Sequence, residues 1–395
     1  MTEQVSARHW RVQVEQGLAV LVLSRPHALN ALDLDMVRAM NEHLLAWRDD
    51  PTVRAVLVWG EARPGKAASL CAGGDIRFFH QAARQGDARI EDFFTEEYRL
   101  NHLIHTYPKP YVVHMQGVVM GGGMGIAQGA TLRLLSPGAK LAMPETKIGL
   151  FPDVGSGWFL SRCPGRFGEY LALTGAVLGP HEALALGLGD AAIDEVGSEA
   201  LQADLLRLLE THAGKAGVEL AGEVRRWGGR LAARHEGAVD VPLLAHAGWI
   251  HEVFALETLE EIMAELARRA SDAQEPEGVR QGMKEALLTL EGRSPLMCKV
   301  SLALVRRARG MTLAQDLRLE RGLIRRCFER APQDDSEAVE GIRALAVDKD
   351  HRPRWRHAGA SDVTDAEVER FFEPVWPDHI HPLRDLEAWD GGTRA

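Results

Sequence analysis

Apolar residues in the first third of the chain fall in short runs, separated by polar stretches with helical spacing. Val12 to Leu23 reads as strand with a turn at Gln16-Gly17. Its second part, Ala19-Val20-Leu21-Val22-Leu23, is fully apolar and ends at Ser24-Arg25-Pro26, so a buried strand runs into a loop. Asp33 and Asp35 then precede Met36, Met40, Leu44 and Trp47, spaced along one helix face, and Val53 to Trp59 returns to β-rich residues. The order recurs: Tyr98 to Thr106 as helix, Tyr111 to Met115 as strand, a helix opened by Gly125 to Ala130, then strands at Thr131 to Leu135 and Lys140 to Ala142. Repeated β-α units predict an α/β fold whose loops carry the chemistry.

From about Leu171 the spacing becomes mostly helical, as at His181 to Leu186, Ala200 to Leu209, Leu256 to Ala270 and Val279 to Leu290. Thr211 to Asp240, rich in Gly, Ala and charge, is expected to be the loosest region. The tail from Asp348 mixes Pro, Trp and His, which fits packed irregular structure or partial disorder, with a mobile end at Asp390 to Ala395.

Composition narrows the class of protein. The net charge is −10 and the basic residues are scattered in short groups, such as Arg306-Arg307-Ala308-Arg309, so no nucleic-acid footprint is expected. The most apolar long stretch, Tyr111 to Leu135, is broken by His114, Gln116, Gln128, Arg133 and six glycines, which argues against a membrane span. Four dispersed cysteines, Cys71, Cys163, Cys298 and Cys327, indicate neither a disulfide framework nor a zinc site. With no basic-then-apolar leader between Met1 and Trp10, the expected compartment is the cytoplasm.

Candidate chemistry lies in three loops. Cys71-Ala72-Gly73-Gly74-Asp75-Ile76 precedes a predicted helix, so Gly74 can offer its N–H closely to a ligand; alone, the segment reads equally as a tight turn. Gly121-Gly122-Gly123-Met124-Gly125 follows a strand and opens an apolar helix, making Gly122 a second N–H donor, or else a site of close backbone packing. It lacks the Lys-Ser/Thr and acidic partners of nucleotide-phosphate loops. Met143 to Asp153 sets two carboxylates, Glu145 and Asp153, among Ile148, Leu150 and Phe151, whose apolar mass would raise a carboxyl pKa. Each is also read as a structural group: Glu145 as a turn cap, Asp153 as the start of a helix. None of the 16 histidines sits in a serine-hydrolase or zinc-hydrolase context, and His114 is expected to be a satisfied core residue. Two N–H donors and two carboxylates suit a reaction at a carbonyl carbon.

These loops resemble those of the crotonase (enoyl-CoA hydratase/isomerase) superfamily. Arg25-Pro26-His27-Ala28-Leu29-Asn30-Ala31-Leu32 is similar to the first CoA-binding loop, and Cys71 to Ile76 and Gly121-Gly122-Gly123 are similar to the two oxyanion loops. Glu96-Glu97-Tyr98, Met143-Pro144-Glu145-Thr146, Gly149 to Gly155, Ser294-Pro295, Lys299 and Asp348 to Trp355 resemble the 3-hydroxyisobutyryl-CoA hydrolase branch, a match over about residues 10 to 356. The resemblance implies a spiral of repeated ββα units with a helical C-terminal region, divided into a core at 10–190, a mostly helical region at 191–356 and a tail at 357–395. It implies Glu145, Asp153, Gly74 and Gly122 as catalytic, Glu97 in the acyl pocket, and Ala28, Leu29, Ala72 and Ile76 at the CoA moiety. No metal or organic cofactor is implied; the partner is an acyl-CoA substrate, and homo-oligomerisation stays open. Gly125 departs from the hydratases, which carry a second catalytic glutamate there. Adding water across C=C needs two acid/base groups, so the expected activity is thioester hydrolysis of a short-chain 3-hydroxyacyl-CoA such as 3-hydroxyisobutyryl-CoA, in valine breakdown. The rivals are an enoyl-CoA hydratase or isomerase and a non-catalytic CoA-binding subunit.

Overall fold

A computed structural model describes residues 3–6, 8–232, 241–329 and 336–386. Its contacts divide the chain into two compact units. One is assembled from Met1–Gly74, Glu96–Ala142 and Val177–Asp240, the other from Asp75–Thr95, Met143–Ala176 and Val241–Ala395.

The first unit is built on a seven-stranded sheet. Strands β1 (Glu3–Ser6), β2 (Trp10–Glu15) and β3 (Leu18–Leu23) pair antiparallel, and β3 continues into a parallel series through β4 (Ala55–Gly60), β5 (Tyr111–Met115), β7 (Leu132–Leu135) and β9 (Ala191–Ala192). The predicted turn at Gln16-Gly17 is the two-residue loop between β2 and β3, and both residues take positive φ, as such hairpins favour. Helix α1 (Leu34–Asp49) starts where its pattern placed it, because the Asp33 carboxylate accepts the Met36 N–H at 2.9 Å. A second, two-stranded parallel sheet joins β6 (Val118–Met120) to β8 (Lys140–Ala142). Between them α4 (Gly122–Gln128) begins three residues before the expected Gly125, since the Gly121 carbonyl accepts both Met124 and Gly125 N–H and the whole turn is buried. Burial here overrides the poor helix propensity of glycine. Helix α7 (Pro180–Ala185) leads toward β9.

The expectation of a loose stretch at Thr211 to Asp240 is corrected for the described part. Helix α8 (Ser198–Thr211) is followed by α9 (Gly217–Ala232), whose Leu220, Val224, Trp227 and Leu231 recur at helical spacing. They join Leu201 and Leu205 of α8 and the Leu18, Val20, Leu57, Val112 and Leu132 side of the large sheet in one apolar core. Four anchors among glycines and charges suffice to build this face; residues 233–240 lie outside the described residues.

The second unit is almost entirely helical. Helix α2 (Ile76–Gln85) and the start of α3 (Arg89–His105), which begins well before the expected Tyr98, bring Phe79, Phe93 and Phe94 together with Phe328 at ring separations of 4.8–6.2 Å. Helices α5 (Ser156–Leu160) and α6 (Phe167–Thr174) pack on α14 (Pro295–Ala308). The short α10 (Pro242–Ala245) and α11 (Ala247–Val253) precede α12 (Leu259–Ala270) and α13 (Glu277–Glu291), which pack together. Helix α12 starts three residues after the expected Leu256 because Thr258 and Glu261 form a capping box. Helices α15 (Leu313–Phe328), α16 (Glu337–Ile342) and α17 (Asp365–Phe372) complete the unit. The described part of the tail is packed: Arg318 donates to the carbonyls of Leu383, Arg384 and Leu386 at 2.8–2.9 Å. The segment expected to be mobile, Asp390 to Ala395, lies outside the described residues. Among these no helix is long and apolar enough to cross a membrane.

Candidate active site

In the first unit three segments run side by side. The Ala72 N–H donates to Leu29 O at 3.0 Å and the Leu32 N–H to Gly73 O at 2.8 Å, joining 25–32 to 69–74. Leu70 and Cys71 N–H groups donate to Gln116 and Val118, and Met120 N–H returns to Cys71 O, joining 69–74 to 116–120. Asn30, wholly buried, ties the corner: its amide nitrogen donates to Ser69 O at 2.8 Å and its oxygen accepts the Arg25 N–H. Ala28, Leu29 and Ala72, three of the four residues expected at the CoA moiety, therefore share one pair of loops, with Leu29 at its exposed edge.

The two glycine loops touch. A methyl group on Gly73 would lie 3.6 Å from Gly122 N, and one on Gly123 would lie 2.3 Å from Cys71 O, so only hydrogen fits at Gly123. Glu97, buried, reaches the same place, since a Gly122 Cβ would sit 2.5 Å from its Oε1. The N–H groups of Gly74 and Gly122 donate to no group among the described residues. Gly73, Gly122 and Glu97 are thus brought together by chain segments far apart in sequence, with Gly74 next along the chain from Gly73. Cys71 is wholly buried, and burial first, and the Glu97 charge after it, push its thiol up to about 12, away from the thiolate form. His114 is the satisfied core residue expected: its ring nitrogens meet Ser198 at 3.0 Å and Ser136 at 2.7 Å, and burial lowers its pKa to about 4.

In the second unit Glu145 opens a short 3-10 turn, Glu145–Ile148. The turn is fixed on every side. Thr146 Oγ1 donates to Leu173 O at 3.0 Å, Thr146 O accepts the Ser294 N–H, and Leu150 N–H returns to Glu145 O. A Cβ on Gly149 would fall 2.0 Å from Glu337 O, so the chain passes α16 at a distance only glycine permits. Glu145 is 7% exposed, and its buried Oε2 has no hydrogen-bond partner among the described residues. Burial, then the charge of Asp153, hold its pKa well above the usual carboxylate range, against a smaller opposing pull from its own backbone N–H and Arg293.

Asp153 is also buried, eight residues on, directly before Val154, which takes φ +60°. Its backbone carbonyl accepts the Ser156 N–H at 3.0 Å. Two residues that sequence reasoning missed cap the helix α5 that follows: Glu320 accepts from Gly155 and Gly157 N–H, and Asp316 from Trp158 N–H. Both lie on α15 among Leu313, Leu317, Leu323 and Ile324. Acids at core-facing helical positions were the signal that would have found them. Ile76, the fourth residue expected at the CoA moiety, starts α2 and is half-buried. No group of three or more His, Cys, Asp or Glu fit to hold a metal ion occurs among the described residues.

Comparison with known proteins adds findings of three kinds. The chain is 35% identical over 374 residues to 3-hydroxyisobutyryl-CoA hydrolase 1 of Arabidopsis thaliana, covering 94% of this chain and 93% of that protein. It is 31% identical to the mitochondrial 3-hydroxyisobutyryl-CoA hydrolase of Gallus gallus, over 94% of this chain and 90% of that one. Among solved structures, an enoyl-CoA hydratase from Rhodobacter sphaeroides 2.4.1 superposes with a TM-score of 0.77 at 34% identity, and a carnitinyl-CoA dehydratase from Mycobacterium thermoresistibile with 0.77 at 35%. These cover 93% and 94% of this chain, and 98% of each structure. Together with a match to the enoyl-CoA hydratase/isomerase family over residues 18–372, they show that the chain belongs to that family and has the crotonase fold.

Proposed function

We propose that the chain hydrolyses a short-chain 3-hydroxyacyl-CoA thioester, with 3-hydroxyisobutyryl-CoA as the substrate, yielding 3-hydroxyisobutyrate and CoA as in valine breakdown. The observation that carries this reading is the run of relatives named 3-hydroxyisobutyryl-CoA hydrolase, matched over about nine-tenths of the chain. Gly125 supports it: it is buried inside α4 and supplies no carboxylate where hydratases of the family carry one.

In the proposed reaction the Gly74 and Gly122 N–H groups stabilise the oxyanion that forms as the thioester carbonyl is attacked. A Glu145 carboxylate oxygen bonds to the acyl carbon, the C–S bond breaks, and CoA leaves as thiolate and takes a proton. Water then cleaves the mixed anhydride, releasing the acid and regenerating Glu145. In the other form of the same reading Glu145 takes the proton of a water that attacks directly. Asp153 binds the 3-hydroxyl and assists proton transfer, Glu97 lines the acyl pocket, and Ala28, Leu29, Ala72 and Ile76 contact CoA. No metal or organic cofactor takes part.

The hydratase and dehydratase names of the two solved structures favour a second reading, addition of water to an enoyl-CoA or its reverse. One assay separates them: the protein is incubated with 3-hydroxyisobutyryl-CoA, 3-hydroxypropionyl-CoA and crotonyl-CoA, following free thiol and enone absorbance separately. Thiol release from the first two supports hydrolysis. Loss of enone absorbance without thiol overturns it, and no change in either signal points to a CoA-binding subunit. A cytoplasmic location draws no support from the relatives, since the chicken protein is named mitochondrial.

A further inference from the structure

The segment after Asp153 is held in an unfavourable conformation by groups from far along the chain. Val154 is buried and β-branched, yet it takes φ +60°, a region that such residues avoid. Gly155 follows at φ +85°. The next N–H groups are taken by α15, one acceptor oxygen each: Glu320 Oε2 from Gly155 at 2.7 Å, Glu320 Oε1 from Gly157 at 3.0 Å, Asp316 Oδ2 from Trp158 at 2.7 Å. Both acids are fully buried. The fit leaves no slack, since a Cβ on Gly157 would lie 2.3 Å from Asp316 Oδ1. Burying two carboxylates beside Asp153 is costly, and burial together with the Asp316 and Asp153 charges raises the Glu320 pKa. A helix end needs no such device, because serine or asparagine would cap it without burying charge.

We propose that Glu320 is a positioning residue for Asp153: by accepting the Gly155 and Gly157 N–H groups on its two oxygens, it holds Val154 left-handed and so fixes the direction in which the Asp153 side chain leaves the loop. This rests on the reading of Asp153 as the group that binds the substrate's 3-hydroxyl. Glutamine at 320 has one acceptor oxygen and would turn an NH₂ toward the other N–H, so the clamp fails although size is kept. Val154 then relaxes toward negative φ and Asp153 swings from its place.

The test compares kcat/KM for 3-hydroxyisobutyryl-CoA and for isobutyryl-CoA, which lacks the hydroxyl. Glu320→Gln is expected to lower the first by about tenfold to a hundredfold, the range a displacement of a positioned group produces, and to leave the second within a few-fold. Adding Val154→Gly, which adopts φ +60° without strain, is expected to raise the ratio above that of Glu320→Gln alone. Should Glu320→Gln not fold, the double variant carries the comparison; an insoluble double variant counts against the proposal, because a relaxed loop does not need the clamp. Equal losses on both substrates, or an unchanged ratio while Asp153→Asn collapses it, overturn the positioning role alone. A ratio left intact by Asp153→Asn overturns the role of Asp153, and the proposal with it.

Discussion

Replacing Glu145 by glutamine tests the proposal from two sides, because the carboxyl assigned to the chemistry is also one whose burial costs the fold stability. Glutamine keeps the shape and removes the reacting oxygen pair, so hydrolysis should fall by the ~10²- to 10⁴-fold that such groups contribute. At 1.36 kcal/mol per decade this is about 3–5 kcal/mol of transition-state stabilisation. The stability effect has the opposite sign. The folded-state pKa of Glu145 lies above its unfolded value, so above about pH 4.5 the folded chain holds more proton there than the unfolded chain. The wild type therefore loses stability as pH rises through that window, and the variant, which cannot ionise, is spared the loss. With one proton at issue, the gap between them widens by at most about 1.4 kcal/mol per pH unit until the folded pKa is passed. In thermal unfolding of a chain of 395 residues this is a Tm difference growing by up to about 2 °C per pH unit. Circular dichroism melts of both proteins from about pH 5 to about pH 8 measure it, since other groups titrate in both and largely cancel. A gap that is flat with pH would show that burial does not raise the Glu145 pKa. Retention of more than about a tenth of the wild-type kcat would remove it from the chemistry.

Asp153→Asn should impair hydrolysis of a 3-hydroxyacyl-CoA far more than of the matching acyl-CoA without the hydroxyl, since a site built to bond a hydroxyl discriminates through it; equal losses would recast Asp153 as a general proton carrier. Gly149→Ala places a methyl 2.0 Å from Glu337 O at φ +69°, and should cost about 2–5 kcal/mol from overpacking plus left-handed strain. Urea unfolding reads that loss, and an unchanged midpoint would contradict the close approach of the Glu145 turn to α16. Trp227→Ala, in the helix where a loose segment was expected, should cost about 3–5 kcal/mol as a buried aromatic, and a cost below about 1 kcal/mol would mean that α9 contributes little to the core.

Much of the first unit was legible because its signals are local. The Gln16-Gly17 turn, the Asp33 cap and the apolar runs of β3 and β5 each declare themselves within a few residues. α9 did not, because the eye weighs its glycines and charges while its fold depends on four anchors at helical spacing. Among the candidate functional residues, the glycine loops of the first unit and Glu145 and Asp153 of the second stood out by residue type and apolar surroundings. What packs around the two acids did not: Glu320 meets Gly155 across 165 positions of sequence, and the Glu337 carbonyl lies against Gly149. Which distant segment comes to lie against a given glycine is set by the tertiary fold and not by the local spacing of residues.

The most direct measurement follows the oxygen. In a single turnover of 3-hydroxyisobutyryl-CoA in ¹⁸O-water, a Glu145 anhydride opened at the glutamate carbon leaves solvent oxygen in Glu145 and an enzyme oxygen in the released acid. Mass spectrometry of the peptide that carries Glu145 is expected to find that label, with CoA released in equal amount to the acid. Label confined to the acid, with no acyl-Glu145 adduct trapped by hydroxylamine or borohydride, would contradict covalent attack and leave Glu145 as a base toward water.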